Sequence, residues 1–306
     1  MSKYPQSIDA CIEALCDHIR RETTLTPRSE AWYREQCRLV FKILDDRRAG
    51  ILPHEVTRDD VVWLREEMTR RGYTVSTCKG YFSALKRITV FCDNSAVAKT
   101  SIRWPSDCRP NVDWLSYDDA KTLLTVPKTP MQDIIIHLEL CMGLRRVEVA
   151  RLRITDITDT YLNVTGKGPR GGKPRRVPYH PHTGAVISRY ILHREELISK
   201  ARKRRPSVQI PDRLLIWQRS GYLYDYITNE SLSGIDRQVE KLSASTGIKF
   251  SNHTLRRTFG RTMYRSGVPV ATISKILGHE DTVMTLRYIG VDMDDMASAM
   301  QQFNLR

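Results

Sequence analysis

The chain has no run of about 18 consecutive apolar residues, so no segment reads as a membrane-spanning helix. Its opening stretch, MSKYPQSIDACIEALCDHI, carries acidic residues and has no apolar centre, which argues against a secretory signal and for a cytoplasmic protein. No CxxC pair occurs. The seven cysteines (Cys11, Cys16, Cys37, Cys78, Cys92, Cys108 and Cys141) are odd in number and irregularly spaced, which excludes a zinc ribbon or a disulfide framework. We expect them to be reduced and structural. There is no P-loop, no internal repeat and no obvious carboxylate cluster for Mg²⁺. Acidic charge is in short supply: 35 Asp and Glu face 49 Lys and Arg, a formal net charge of +14. An excess of that size repels itself in a compact molecule unless a polyanion is present, and nucleic acid is the commonest such partner.

The 306 residues suggest about two domains. The first hundred carry helical periodicity without strands. Ile8, Cys11, Ile12, Leu15 and Ile19 mark one helix, and a second starts at Pro27. Thr57 caps a third that ends at Gly72, and Ser76 opens a fourth through Tyr81, Leu85, Ile88 and Phe91. The prediction is a four-helix bundle over 1–99, then a linker over 100–113 containing Pro105 and Pro110. A second domain over 114–290 begins with a capped helix at Ser116. It continues with a strongly apolar helix, Met131–Met142, and two β-like runs, Tyr161–Val164 and Arg176–Val177, read as a hairpin or three-stranded sheet. The rest reads as mainly helical. A tail over 291–306 places Met296, Ala299, Met300 and Phe303 at helical spacing after Asp292, Asp294 and Asp295.

Four clusters carry possible chemistry. In GLRRVEVARLR, Arg145 and Glu148 share a helix face. GKGPRGGKPRRVP holds Lys167, Arg170, Lys173, Arg175 and Arg176 without an acidic residue, in a glycine-rich turn suited to a phosphate backbone. HTLRRTFGRTM sets His253 and Arg256 three apart. LGHEDTVMTLRY places His279 after a helix-breaking Gly278, nine residues before Tyr288. Singly, each has an ordinary reading as a surface ion pair, a solvated loop, a polar helix face or a capping histidine. KARKRR, Lys200–Arg205, reads as a solvated helix end or a further DNA contact.

In order and spacing these four boxes resemble the tyrosine recombinases, also called the phage integrase family, which includes Xer and Cre. The helical N-terminal part, with TVSTCKGYFSALKRIT, is similar to the family's core-binding domain. The fold this implies is mainly α with a small β-sheet or hairpin: a helical core-binding bundle followed by an α+β catalytic domain. Few residues precede the first helix, so we expect the simple two-domain type without the extra arm-binding domain of the lambda-type integrases.

The resemblance implies a site-specific recombinase that cuts and rejoins DNA through a 3′-phosphotyrosyl bond at Tyr288, with no ATP, metal or other cofactor. A free phenol loses its proton only near pH ~10, so the nucleophile needs help. By similarity, Arg145 and Arg256 clamp the phosphate, Lys167 protonates the leaving 5′-oxygen, and His253 and His279 contact the phosphate, with His253 also serving as a base. Glu148 orients them. Lys173 competes with Lys167 for the acid role, with Lys167 favoured; adjacent Arg146 and Arg257 allow a one-residue slip, against which the GLR register and the Arg145–Glu148 spacing favour Arg145. Arg170, Lys173, Arg175 and Arg176, with Lys79, Lys86 and Arg87 on the fourth helix, are the candidates for DNA contact.

The implied partner is double-stranded DNA with inverted half-sites. The protein would be a monomer or weak dimer when free and a homotetramer on synapsed DNA, with accessory DNA-bending proteins and no membrane. The tail helix would dock on a neighbouring subunit, packing on its own domain being the alternative. The biological task would be integration or excision of a mobile element, or dimer resolution. Rival functions are a type IB topoisomerase or telomere resolvase, a non-catalytic DNA-binding architectural protein, and a metal-dependent nuclease.

Overall fold

The computed structural model describes residues 5–22, 27–104, 113–166, 172–279, 281–290, 295 and 300–301. The chain divides into two compact units, Met1–Cys108 and Arg109–Arg306. The cores of both are built from the apolar faces that the periodicity marks.

The first unit contains helices α1 (Ile8–Glu22), α2 (Pro27–Asp45), α3 (Arg58–Arg70), α4 (Val75–Phe91) and the short α5 (Ala96–Lys99). Ile12, Leu15, Ile19, Val40, Leu44, Leu64, Leu85 and Ile88 meet in one apolar core. Thr57 caps α3: its hydroxyl accepts from Asp60 N (3.3 Å), while the Asp60 carboxylate accepts from Thr57 N (2.9 Å). Asp60 is buried, and Arg47 (3.2 Å) and Arg48 (2.8 Å) neutralise it. Cys11, Cys16, Cys37, Cys78 and Cys92 are buried free thiols, and burial pushes Cys37 and Cys92 up to about 12, which makes them poor nucleophiles. The bundle extends further than the sequence reading placed it. Ile102 and Trp104, assigned to the linker, pack on its core, Trp104 edge-on to Phe82 at 5.1 Å. Residues 105–112, with Pro105 and Pro110, lie outside the described residues.

The second unit opens with α6 (Tyr117–Thr125), α7 (Pro130–Ile136) and α8 (Arg146–Arg151). The apolar helix expected over Met131–Met142 is α7 continuing into a π-helical turn, His137–Cys141. Strands β1 (Tyr161–Thr165) and β2 (Pro174–Pro178) form an antiparallel pair with Tyr161 opposite Pro178 and Thr165 opposite Pro174. The sheet is thus a two-stranded hairpin. Helix α9 (Pro181–Arg204) follows, then a second hairpin, β3 (Ile216–Arg219) and β4 (Tyr222–Asp225), which the sequence reading missed. Its one local signal was the Ser220-Gly221 pair, both at positive φ (52° and 83°), as a tight hairpin turn requires. Helices α10 (Ser233–Thr246), α11 (Asn252–Arg265), α12 (Val270–Leu277) and α13 (Thr282–Ile289) complete the unit. Ile134, Leu138, Leu144, Leu162, Val177, Tyr190 and Leu215 form its main core, while Phe259, Ile273, Leu277 and Ile289 join α11, α12 and α13 in a second cluster. Among the described residues, no helix is long and apolar enough to cross a membrane.

Candidate active site

Gly143 ends the π turn at φ +66°, a left-handed conformation that glycine adopts without cost. A Cβ there would sit 2.4 Å from the Phe259 ring, so the chain passes α11 with no side chain between them. Two residues later, Arg145 occupies the N-cap of α8, and Glu148 reaches back to accept from its backbone N at 2.8 Å. Arg145 Nη1 donates to Glu148 Oε1 (2.9 Å) and to the Leu277 carbonyl (3.3 Å). Arg146 turns the other way and pairs with Asp236 on α10. Arg145 thus faces the cluster that also holds Arg256 and His279.

Glu148 is the hub of that cluster and is fully buried. Arg175, on β2, grips it with two bonds of 2.9 Å, and Arg256 Nη1 lies 3.6 Å from its Oε2. Burial pushes its carboxyl up, but Arg175, then Arg256 and the Arg145 amide, outweigh this and hold it below the ordinary carboxylate range. Three guanidiniums around one carboxylate leave positive charge uncompensated in a half-shielded centre, a place built for an anion.

Helix α11 starts at a Ser251 cap and carries His253 and Arg256 on one face. Arg256 is 2% exposed; it donates to the Gly143 carbonyl, to Leu277 O (2.6 Å) and towards His279 Nε2 (3.2 Å). Burial, then the charge of Arg145, lowers its pKa to about 10, so it stays cationic at neutral pH. Both Arg256 and Arg257 lie over the Tyr288 ring, 5.8 and 5.5 Å from its centroid, but only Arg256 also bonds to Leu277 O and His279.

Gly278 closes α12 at φ +66°, and a Cβ there would press on the Arg175 guanidinium at 3.0 Å. His279 follows. Its Nε2 faces a permanent donor, so the ring proton is assigned to Nδ1, 2.8 Å from the buried Thr285 hydroxyl. Burial, then Arg256, Arg145 and Arg175, depress its pKa to about 4, so the ring is neutral. Tyr288, on α13, meets His279 edge-on at 5.2 Å between ring centroids, and its hydroxyl lies 3.5 Å from His253 Nδ1. Arg145, Glu148, His253, Arg256, His279 and Tyr288 therefore converge from four separate stretches of chain.

Lys167 and Arg170 lie outside the described residues. Their neighbour Gly166 sits beside the centre: a Cβ on it would be 3.7 Å from Glu148 Oε1. Lys173 is exposed at the foot of the hairpin, where its carbonyl accepts from Gly166 N (3.0 Å). Arg176 is exposed over the Tyr161 ring at 5.0 Å. Arg175, its neighbour on the strand, points to the opposite face, onto Glu148 and the Ile276 carbonyl (2.8 Å). Lys79, Lys86 and Arg87 are exposed on α4, Arg87 resting on the Tyr33 ring at 5.1 Å with a bond to its hydroxyl (3.1 Å).

Of the tail, Asp292, Asp294, Met296, Ala299 and Phe303 lie outside the described residues; Asp295 pairs with Arg261 of the same chain, and Met300 is exposed. Thr285 and the Asp236–Arg146 pair were not foreseen, because an isolated threonine or aspartate carries no sequence signal. Among the described residues, no three His, Cys, Asp or Glu converge as a metal site.

A model of the phage integrase family matches residues 113–295. Tyrosine recombinase XerA of Pyrococcus furiosus is 25% identical over 255 residues, covering 81% of this chain and 82% of that protein. Tyrosine recombinase XerC of Listeria innocua is 24% identical over 307 residues, covering 95% and 96%. The fold is shared with the Tn1549 transposon integrase in complex with transposon right end DNA (TM-score 0.67, 17% identity, 96% of this chain and 99% of that one). It is also shared with XerH bound to a palindromic difH substrate (TM-score 0.68, 17% identity, 95% and 83%). The family match spans well over half the chain and lies over the converging Arg, His and Tyr residues, so the chain belongs to the phage integrase family: it is a tyrosine recombinase, a DNA strand transferase.

Proposed function

We propose that the protein is a site-specific recombinase whose Tyr288 oxygen attacks a DNA phosphate. The new bond joins phosphorus to the tyrosine oxygen; the bond to the 5′-oxygen breaks, leaving a 3′-phosphotyrosyl link and a free 5′-hydroxyl. A 5′-hydroxyl from a partner strand then attacks in reverse. The energy of the phosphodiester is kept in the tyrosyl link, so no ATP is consumed. The observation that carries this reading is the placement of the Tyr288 hydroxyl 3.5 Å from His253 Nδ1, beside a cluster of three guanidiniums around one carboxylate.

In this reading His253 takes the phenol proton during attack. Arg145 and Arg256 neutralise the charge that grows on the non-bridging oxygens, and their fixed bonds to backbone carbonyls pre-pay the cost of orienting them. His279 is neutral with its Nδ1 proton on Thr285. An arriving phosphate restores the negative charge that the site lacks, raises the ring's affinity for a proton, and lets Nε2 donate to a phosphate oxygen. Lys167 protonates the leaving 5′-oxygen. Glu148 and Arg175 hold Arg145 and Arg256 in place.

The substrate is double-stranded DNA with inverted half-sites, contacted by Arg170, Lys173 and Arg176 and, on the other unit, by Lys79, Lys86 and Arg87. Free protein is a monomer or weak dimer, and four copies assemble on synapsed DNA with accessory bending proteins. The tail docks on a neighbouring subunit. Exchange serves integration or excision of a mobile element, or dimer resolution, in a cytoplasmic, nucleoid-associated setting.

A nicked duplex carrying a candidate site from the flanking genomic DNA tests the chemistry. Wild type in EDTA should give a protease-sensitive DNA–protein band on a denaturing gel, and Tyr288→Phe should give none while still binding. A band that persists in the Phe variant would place the nucleophile elsewhere.

A further inference from the structure

The recombinase reading uses the residues around Glu148 and leaves a second polar cluster unexplained. Asp236, on α10, spends both carboxylate oxygens on residues that begin two different helices. One oxygen accepts from Arg146 Nη1, and the other accepts from Asn252 Nδ2 at 2.6 Å. Arg146 is the first residue of α8 and Asn252 the first of α11. Each is the immediate chain neighbour of a residue at the reaction centre: Arg145 precedes Arg146, and His253 follows Asn252. Arg146 and Asp236 are partly buried, their side chains 31% and 28% exposed, so the pair is shielded enough to have a defined geometry. Glu139 of the π turn lies within the same electrostatic neighbourhood. It is fully buried, neither oxygen has a hydrogen-bond partner, and burial, then the charge of Asp236, pushes its carboxyl well above the ordinary carboxylate range. Asp236 is the carboxylate to which both helix starts are tied.

We infer that Asp236 is a positioning residue for strand cleavage: by binding Arg146 and Asn252 together it fixes the starts of α8 and α11 against each other, and so sets the spacing between Arg145 and His253 about the reacting phosphate. A spacing error of an ångström between a phosphate clamp and a base slows chemistry without weakening the many backbone contacts that hold DNA. Released from Asp236, Arg146 would also lose its carboxylate partner next to Arg145 in the chain.

The inference rests on the recombinase reading, and the test separates the two. Covalent-complex formation on the nicked duplex is measured in single turnover at saturating protein, with DNA-binding midpoint and melting temperature measured on the same preparations. The expected result is a rate about tenfold lower for Asp236→Asn and for Arg146→Met, binding midpoints within about twofold of wild type, and a double variant no slower than either single one. A rate within about twofold of wild type for both single variants overturns the inference. So does a loss seen only in binding or melting, or a double variant whose losses multiply. If Asp236→Asn does not fold, Arg146→Met alone decides by the same criteria. Wild type that forms no covalent complex on a bound duplex overturns the recombinase reading and this inference together.

Discussion

Glu148 and Arg175 are joined by two parallel hydrogen bonds of 2.9 Å across the junction of α8 and β2. That pair ties the first arginine box to the strand that leads out of the basic hairpin. The same carboxylate also meets Arg145 and Arg256, so its removal is felt in three places at once.

Glu148→Gln should cost about 3–5 kcal/mol of stability, because it leaves three shielded guanidiniums without their anion. Urea denaturation measures this. The carboxyl is held below its ordinary value in the folded state, so its contribution is complete above the unfolded pKa, about 4.5, and is lost as pH falls through the lower folded value. Wild type should therefore lose stability below pH 4.5 more steeply than the Gln variant, and equal acid slopes would contradict the hub role.

His279 has the opposite charge behaviour. Its folded pKa of about 4 lies below the 6.5 of a free imidazole, so between these values the unfolded chain binds a proton that the folded one refuses. The stability tied to this ring is complete above pH 6.5 and falls as pH drops towards 4. Denaturation midpoints at pH 7, 6 and 5 should decline less in His279→Gln than in wild type. Adding a duplex that carries the recombination site should move the ring's NMR titration upward.

Gly143→Ala should destabilise by about 2–4 kcal/mol. It combines a left-handed backbone for a residue with a Cβ and a 2.4 Å approach to the Phe259 ring. Phe259→Ala in the same chain opens the space and should recover part of the packing loss, though not the backbone strain. A double variant as unstable as the sum of the two singles would mean that the ring is not the obstacle.

A duplex whose leaving 5′-oxygen is replaced by sulfur tests the lysines, since a thiolate departs without being protonated. Lys167→Ala should cleave the ordinary duplex at least ~100-fold more slowly, in keeping with general-acid contributions, and should approach wild-type rate on the sulfur duplex. Lys173→Ala should be close to wild type on both. The reverse pattern would move the acid to Lys173.

Much of the fold was legible because local rules and tertiary packing agree. Thr57 and Ser116 sit where a side-chain oxygen must satisfy orphan backbone amides, and each caps a helix. Ile12, Leu15, Ile19, Leu85 and Ile88 fall on the faces that periodicity marks, and all five are buried. The misses have local causes. The β3–β4 strands are only four residues each, too short to stand out from neighbouring loops. Trp104 lies in a charged, proline-bearing stretch that reads as linker, and only packing on Phe82 recruits it to the bundle.

The sequence by itself determined which side chains were available and which helices carried them: Arg145 with Glu148, His253 with Arg256, and His279 nine residues before Tyr288. It also determined the glycines that stop the chain ahead of Arg145 and His279. Only the tertiary structure decided which of two neighbouring arginines faces the centre. Successive residues on a helix point about 100° apart, and on a strand to opposite faces, so direction follows from what each element packs against. Packing sends Arg145 and Arg256 towards Leu277 and Glu148, turns Arg146 to Asp236, sets Arg257 beside Arg256 over the Tyr288 ring, and turns Arg175 inward while Arg176 stays outside. The uncompensated positive charge of this site exists only once these separate stretches of chain meet.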